Sequence, residues 1–428
     1  MDARLEDLTR AAPLPAADAW RILLHDFGGY AFTVQLARWL AARGHAVLHL
    51  HAADIAGPHG PAARRRTDPP TLAFDTVRLG RPFARYALHR RLRDELAYGR
   101  CLAGAIGRFR PDLVLSANAP PLVQRLALRA ARAHGAGFVN WVQDVFSFGG
   151  GAMPSRWPGP LRSGILAGLR HLEFGAMTGA DALVVISPDF QSRLDAAGVL
   201  HPLTLVQENW SPPTMTAGRA GPADWVLAHG LGGRRLVLVA GTLGLKHNPD
   251  LVAALARGLR DLPDVRVVVA SQGPGRDRLE AVRAAEGLEN LVLLDYQPAD
   301  RVPDMLAAAE IGVVILNRTA GGMSMPSKLY TYAAAGLPVL AAVPSDHLAH
   351  RMVRDRNLGL AVEPEDAAAF VAAGRRLLTD AGLRGACAAS ASAFGRDHND
   401  IDRIGPRFEE VMAAAMRCVR FRAGRQAA

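Results

Sequence analysis

Lysine is almost missing from this chain of 428 residues: of its 50 lysines and arginines, only Lys246 and Lys328 are lysine. Cysteine is scarce too. Cys101, Cys387 and Cys418 are odd in number and far apart, so spacing indicates neither a disulfide framework nor a metal knuckle. No run reaches the eighteen or so apolar residues that a membrane span requires. The longest, from Tyr332 to Pro344, is interrupted by Gly336 and Pro338. The opening MDARLEDLTRAAPLPAAD is acidic and polar where a secretory leader is basic and then apolar, which makes a cytoplasmic location the expectation. Hydrophobic residues at 50% and charged residues at 21% are globular proportions that argue against a mainly disordered or fibrous chain. At roughly 150 residues per domain, the length predicts two or three domains.

The net charge of +10 is unevenly placed. Residues 64–110 carry twelve arginines against Asp68, Asp75, Asp94 and Glu95. The end of the chain adds Arg417, Arg420, Arg422 and Arg425, with no acid after Glu410. Such blocks are most often solvated surface; the alternative is attraction to nucleic acid or to lipid headgroups. No zinc spacing, RNA-recognition signature or basic zipper accompanies the charge, so no nucleic-acid partner is expected. Phe83, Leu88, Leu92 and Leu96 fall near one helical face, with Arg85, Arg90, Arg91 and Arg93 around it. That pattern reads two ways. Either a basic amphipathic helix docks on an anionic membrane, or the leucines face the core and the arginines face water.

Short β-branched or leucine-rich runs alternate with helical patterns along most of the chain. Strands are predicted at 21–25, 46–50, 112–116, 137–142, 182–186 and 203–207, and again at 236–240, 265–270, 291–294, 311–315, 339–341 and 358–362. Phe32, Leu36 and Leu40 recur every four residues before Gly44, the spacing of one helical face. Runs apolar throughout mean parallel strands covered on both sides. The predicted fold is α/β, with two Rossmann-like domains over 20–207 and 208–397 joined at a Pro-, Gly- and Ala-rich linker. Residues 398–428 form a final helix and basic tail, for which the first domain is a candidate packing surface.

In open parallel sheets, ligands bind where the carboxyl ends of strands lead into helix N-termini. Gly28 and Gly29 follow the first strand without completing a GxGxxG fingerprint, so a ligand loop and an ordinary turn both fit. The loop from Gly241 through Thr242 to Lys246 sets one lysine just before a helix that Pro249 is suited to start. The loop from Gly321 through Gly322 to Ser327 and Lys328 sets the other in a first helical turn, with Pro326 near its start. A cation there opposes the helix dipole unless an anion is bound. Lysine is a compact point charge and arginine a planar fork, so two lysines retained at one sheet edge fit a diphosphate better than coincidence. Gly273, in Gly273-Pro274-Gly275, belongs to a weaker third loop. Asp144 ends the run WVQD at a strand mouth, where a carboxylate either serves a hydroxyl as base or caps the next turn. His25 and Asp26 are expected to pair with one another. No Asp-x-Asp cluster ends a predicted strand, so no metal is expected.

Together these residues resemble the family 4 glycosyltransferases of the GT-B fold, in particular the subgroup that builds bacterial capsule, colanic acid and O-antigen sugars. The resemblance runs from about Arg21 to Leu378 through Gly28-Gly29 with GHAV, WVQD, ADALVVIS, AGTLGLKHNPDLV, GPGRDRLE and PSKLYTYAAAGLPVLA. It implies a cleft between the domains and a UDP- or GDP-linked sugar in the second. That donor would be held by Gly241, Thr242, Lys246, Gly273, Gly322, Ser327 and Lys328. It implies a glycan or lipid-linked acceptor near Gly28 and Gly29, with Asp144 orienting or deprotonating the acceptor hydroxyl. Beyond the nucleotide sugar it implies no cofactor, and it implies retention of anomeric configuration; a place at the inner face of the plasma membrane is the expectation only if the basic helix docks on lipid. Three departures stand out: Met323 and Thr331 occupy the usual glutamate positions, Thr242 replaces an arginine, and Gln143 replaces a histidine. The rivals are a nucleotide-sugar epimerase of the same fold and a catalytically silent binding protein.

Overall fold

The computed structural model describes residues 19–55, 60, 62–81, 83, 88–148, 158–216, 221–244, 247–318 and 324–427. The chain divides into two compact units, Met1–Glu208 with Ile401–Ala428, and Asn209–Asp400.

The first unit runs β1 (Arg21–Asp26), α1 (Ala31–Ala42), β2 (Ala46–Ala52), β3 (Leu72–Val77), α2 (Leu88–Phe109), β4 (Leu113–Ala117), α3 (Pro121–Ala133), β5 (Gly137–Val142), α4 (Gly159–Thr178), β6 (Ala182–Val185), α5 (Pro188–Ala196) and β7 (Thr204–Val206). Its strands form a seven-stranded sheet in the order β3-β2-β1-β4-β5-β6-β7, and every pairing is parallel. The order reverses between β1 and β4, the position where such sheets open a crevice. Phe32, Leu36 and Leu40 are all buried on α1, as their spacing predicts, and Gly44 turns the chain at φ 98°. The strand β3 has no counterpart in the sequence reading. It lies at the sheet edge, only its terminal residues Leu72 and Val77 are fully buried, and Asp75 and Thr76 break the apolar run.

The second unit runs α6 (Pro222–Ala228), β8 (Arg235–Ala240), α7 (Pro249–Gly258), β9 (Val265–Ala270), α8 (Pro274–Glu286), β10 (Leu291–Leu294), α9 (Val302–Ala307), β11 (Ala309–Ile315), α10 (Lys328–Ala334), β12 (Val339–Ala342), α11 (Leu348–Asp355), β13 (Gly359–Val362), α12 (Ala367–Thr379) and α13 (Ala381–His398). Its six parallel strands are ordered β10-β9-β8-β11-β12-β13, so here the order reverses between β8 and β11. Valines of β8 and β9 and Ile311, Val313 and Ile315 of β11 pack with Leu251, Val252 and Leu255 of α7 to make the core of this unit. Pro249 opens α7 as the sequence predicts, with the Asn248 side chain accepting from the Asp250 N–H.

The last helix, α14 (Ile401–Ala427), belongs to the first unit. It starts three residues later than the sequence boundary at 398 and continues to Ala427. Its contacts are specific. Phe408 is fully buried with its ring 4.6 Å from that of Trp141 on β5. Trp39 Nε1 donates to Asp402 at 2.9 Å, and Glu409 accepts from Arg43 and lies 3.1 Å from His45 Nε2. Gly405 faces the Trp39 ring so closely that a Cβ would stand 2.4 Å from it. Near the far end, Arg422 and Arg132 both pair with the buried Asp181, which also accepts from the Phe138 N–H. Phe408→Ala should therefore cost about 3–5 kcal/mol, the range for a buried aromatic. Denaturant unfolding followed by tryptophan fluorescence measures it; a loss under about 1 kcal/mol would mean that the helix is an appendage.

Candidate active site

In the second unit, the parallel pairing of β8 with β11 brings two loops distant in sequence together. Gly241 follows β8 at φ 91°, a backbone that glycine adopts without strain. A Cβ added there would lie 3.9 Å from Lys328 Nζ, so the ammonium sits against the glycine backbone. Desolvation pulls this ammonium down from 10.5 to about 8. Among the described residues no carboxylate pairs with Lys328. A half-buried cation beside a bare glycine turn is electrostatically suited to an anion. Pro326 lies just before the helix, near its start as the sequence predicts; Ser327 is the N-cap and Lys328 the first helical residue. The helix has seven residues, so the side chain and not the dipole carries the electrostatic argument.

Tyr332 fixes α10 in this position. Its hydroxyl accepts from the Ala240 N–H at 2.9 Å and lies 3.3 Å from the Leu238 carbonyl, tying the helix to β8. Burial holds its phenol well above the ordinary tyrosine range. Thr242, at the position where the resemblance expects arginine, has its Oγ1 2.7 Å from the Tyr296 hydroxyl. The Gly273 loop packs on this one: Gly273 stands at φ 104°, and the Gly275 N–H donates to the Leu243 carbonyl. Thr331 forms part of α10. Lys246, Gly322 and Met323 lie outside the described residues.

In the first unit, the glycine turn after β1 is organised by one carboxylate. Asp26 is fully buried and accepts from the Gly28 N–H at 3.0 Å, the Tyr30 N–H at 2.5 Å and the Thr33 hydroxyl at 2.8 Å. Burial raises it to about 6 despite these donors. Gly28 is required because a Cβ would meet the Tyr30 ring at 2.4 Å, and Gly29 because its φ is 66°. The expected pairing of His25 with Asp26 does not occur. His25 lies instead between Ser116 Oγ at 2.8 Å and the Tyr98 hydroxyl at 2.9 Å, and burial lowers it to about 3.

Asp144 stands just beyond the carboxyl end of β5, half-buried, on the wall of a small cavity. Glu173 of α4 lines the same cavity. Its two oxygens accept from the backbone N–H groups of Phe146 and Ser147 at 2.7 and 2.8 Å, so it holds the loop that carries Asp144. Burial raises the Glu173 carboxyl, and the charge of Asp144 adds to the rise. Sequence reasoning missed Glu173; a lone acid between the apolar residues of the LEFGAM run was its only signal. Among the described residues no three His, Cys, Asp or Glu side chains converge as they would around a metal ion.

The basic helix differs from its expected form. Phe83 precedes α2 and packs edge-on against Phe27 at 5.2 Å. Arg91 is paired with Glu95 at 2.7 Å, and Arg85 lies outside the described residues. Arg90 and Arg93 are exposed, and Leu92 between them is 46% exposed. No described helix is long and apolar enough to cross a membrane.

Residues 27–210 match the family described as glycosyl transferase 4-like domain, and residues 234–380 match glycosyl transferases group 1. Over 146 residues, 34% of this chain, the sequence is 31% identical to a colanic acid biosynthesis glycosyl transferase, WcaI, of Escherichia coli strain K12. That match spans 36% of the relative's own length. Sucrose-phosphate synthase from Thermosynechococcus elongatus superposes with a TM-score of 0.70 at 16% identity, covering 91% of this chain and 98% of that one. HepE of Anabaena, solved with UDP-glucose, gives 0.65 at 15% identity over 92% and 100% of the two chains.

Proposed function

Since the chain belongs to the family 4 glycosyltransferases and has their GT-B fold, we propose that it moves a sugar from a nucleoside diphosphate sugar to a hydroxyl acceptor. The observation that carries this reading is the ammonium of Lys328 against Gly241, without a carboxylate partner among the described residues. Transfer breaks the bond from the sugar's anomeric carbon to the diphosphate and forms one to the acceptor oxygen. Charge builds on the departing diphosphate. Lys328, with Lys246 as the sequence's other lysine, is suited to stabilise it without a metal. The acceptor hydroxyl loses its proton during transfer, and Asp144 is the carboxylate suited to orient that hydroxyl or to receive the proton. The glycine turn shaped by Asp26 belongs to the acceptor side in this reading. The match to WcaI supports a surface-polysaccharide acceptor, lipid-linked or growing, and the family resemblance supports retention.

A thermal-shift titration with UDP and GDP, followed by release of UDP or GDP from its sugar, tests the proposal. One of the two nucleotides should stabilise the protein, and turnover should persist in EDTA. Loss in chelator with recovery on Mn²⁺ would remove the metal-free mechanism. Conversion of the nucleotide sugar to its epimer without nucleotide release would replace transfer by epimerisation.

The exposed trio Arg90, Leu92 and Arg93 supports docking of α2 on an anionic leaflet at the cytoplasmic face of the membrane. Each basic residue near such a surface contributes on the order of 1 kcal/mol. Co-sedimentation with liposomes should need anionic lipid, weaken with salt and fall when Arg90 and Arg93 become Gln. Equal binding to neutral and anionic liposomes would leave this face as solvated surface.

A further inference from the structure

The helix α4 is packed on its unit along only half its length. β5 and β6 are parallel, so the helix between them runs back from the carboxyl edge of the sheet to the amino edge. Its second half is anchored. Glu173, Ala176 and Met177 are buried, and Arg125 of α3 donates to the Gly175 carbonyl at 2.8 Å. Because Glu173 accepts from Phe146 and Ser147, just past β5, the helix meets the carboxyl edge at that residue. Residues 159–172, roughly 20 Å of helix, extend beyond it, and none of them is fully buried.

This projecting half is apolar. Leu161, Ile165, Leu169 and Leu172 recur at i, i+4, i+8 and i+11, one stripe of a helix, and Leu161 is 51% exposed. Leu166, Gly164, Ala167 and Gly168 take up much of the remaining surface. A surface helix ordinarily turns its apolar stripe to the core and its charges to water; here the stripe runs on past the core.

Charge narrows what covers it. Residues 145–172 contain no aspartate or glutamate, while Arg156, Arg162 and Arg170 fall within them. The acids that bound the segment are half-buried Asp144 and buried Glu173, whose oxygens are engaged by backbone N–H groups. The neighbouring surface is basic as well. The Arg91 guanidinium lies 5.7 Å from the Phe146 ring, which sets the start of α2, with exposed Arg90, Leu92 and Arg93, beside the loop that Glu173 holds. A second copy of a chain with net charge +10 would bring arginines against arginines here. An anionic lipid surface answers both the charge and the apolar stripe.

We propose that the first half of α4 is an interfacial anchor, lying in the headgroup region of an anionic leaflet with Leu161, Ile165 and Leu169 toward the acyl chains. Arg162 borders the stripe and is suited to meet lipid phosphates while its stem lies along apolar surface. Docking of α2 is electrostatic and is screened by salt. Insertion of α4 is apolar burial, which such screening does not remove. The inference rests on the leaflet docking proposed for α2 only in the choice of lipid, and the two fail separately.

The full-length protein is sedimented with vesicles of mixed phosphatidylglycerol and phosphatidylcholine, and of phosphatidylcholine alone, at low and high salt. Leu161→Gln combined with Ile165→Gln should weaken partition into the anionic vesicles by about tenfold at both salt concentrations. Arg90→Gln combined with Arg93→Gln should weaken it at low salt and have little effect at high salt. In the Leu161→Trp variant, brominated acyl chains should quench tryptophan emission beyond the quenching seen in the wild type. All variants should melt as the wild type does; if the glutamine pair fails to fold, Leu161→Trp decides. A folded glutamine pair that partitions like the wild type, or no added quenching in Leu161→Trp, overturns the anchor. Loss confined to the arginine pair overturns it while sparing the docking of α2. A lipid-free dimer, seen by light scattering and dissociated by the glutamine pair, assigns the stripe to a second copy and overturns the leaflet. Wild type that sediments with neither kind of vesicle overturns both membrane contacts and leaves the transferase reading to nucleotide binding.

Discussion

Lys328→Ala should weaken binding of a nucleoside diphosphate sugar by about ten- to a hundredfold at neutral pH, the worth of one charge-assisted contact. The same lysine sets a pH dependence whose sign follows from its lowered pKa of about 8. Below that value the free protein presents an ammonium and affinity is full. Above it the anion must bring a proton with it, and affinity falls. The free protein's stability runs the other way. Between about 8 in the folded chain and the ordinary 10.5 in the unfolded one, the unfolded state binds more protons, so folding gains as pH rises through that window. Lys328→Met obtains this gain at neutral pH and should melt above the wild type while binding the donor worse. Calorimetric titration of UDP-glucose between about pH 7 and 9, beside thermal melts of both proteins, reads all three effects. A donor affinity equal in wild type and Lys328→Ala would end the anion-site argument.

Asp144→Asn should lower turnover by about 10²- to 10⁴-fold, the ordinary contribution of a positioned general base. Donor affinity should change little, because the proposed contact to the diphosphate is made by Lys328 and not by Asp144. The amide is nearly isosteric with the carboxylate, so folding should be spared. Steady-state rates with the donor saturated separate this from a binding defect. A loss of less than about threefold would move the base elsewhere, and Glu173 is then the next carboxylate to replace.

Much of the architecture was legible because parallel strands buried on both sides write themselves as uninterrupted apolar runs. The strands at 137–142, 265–270 and 291–294 match the observed bounds to the residue. The edge strand β3 was not legible, since its half-exposed pattern with Asp75 and Thr76 carries no such signature. The candidate site divides similarly. Lysine scarcity and loop position pointed to Lys328, and the adjacency of β8 and β11 places it on Gly241. Partners chosen by the fold left no local trace. Thr242 meets Tyr296 across 54 positions, Glu173 reaches the Phe146 amide across 27, and Gln124 becomes a cavity wall only because α3 starts beside β5. The basic helix shows the opposite failure. Its periodicity was visible, yet whether Leu92 faces lipid or core depended on where α2 begins, and Phe83 turned out to precede it.

The return of α14 to the first unit sets an order of assembly. On the ribosome, the strands of the first sheet emerge first, but the surface of β5 around Trp141 and the Trp39 face of α1 wait uncovered until Phe408 and Gly405 are made. The second unit, 209–400, is complete before then and is free to fold ahead of its predecessor. A premature stop near the end of the message therefore injures the half of the protein synthesised first. Nascent chains arrested before residue 401 should expose apolar surface from the first unit to chaperones while the second already resists protease.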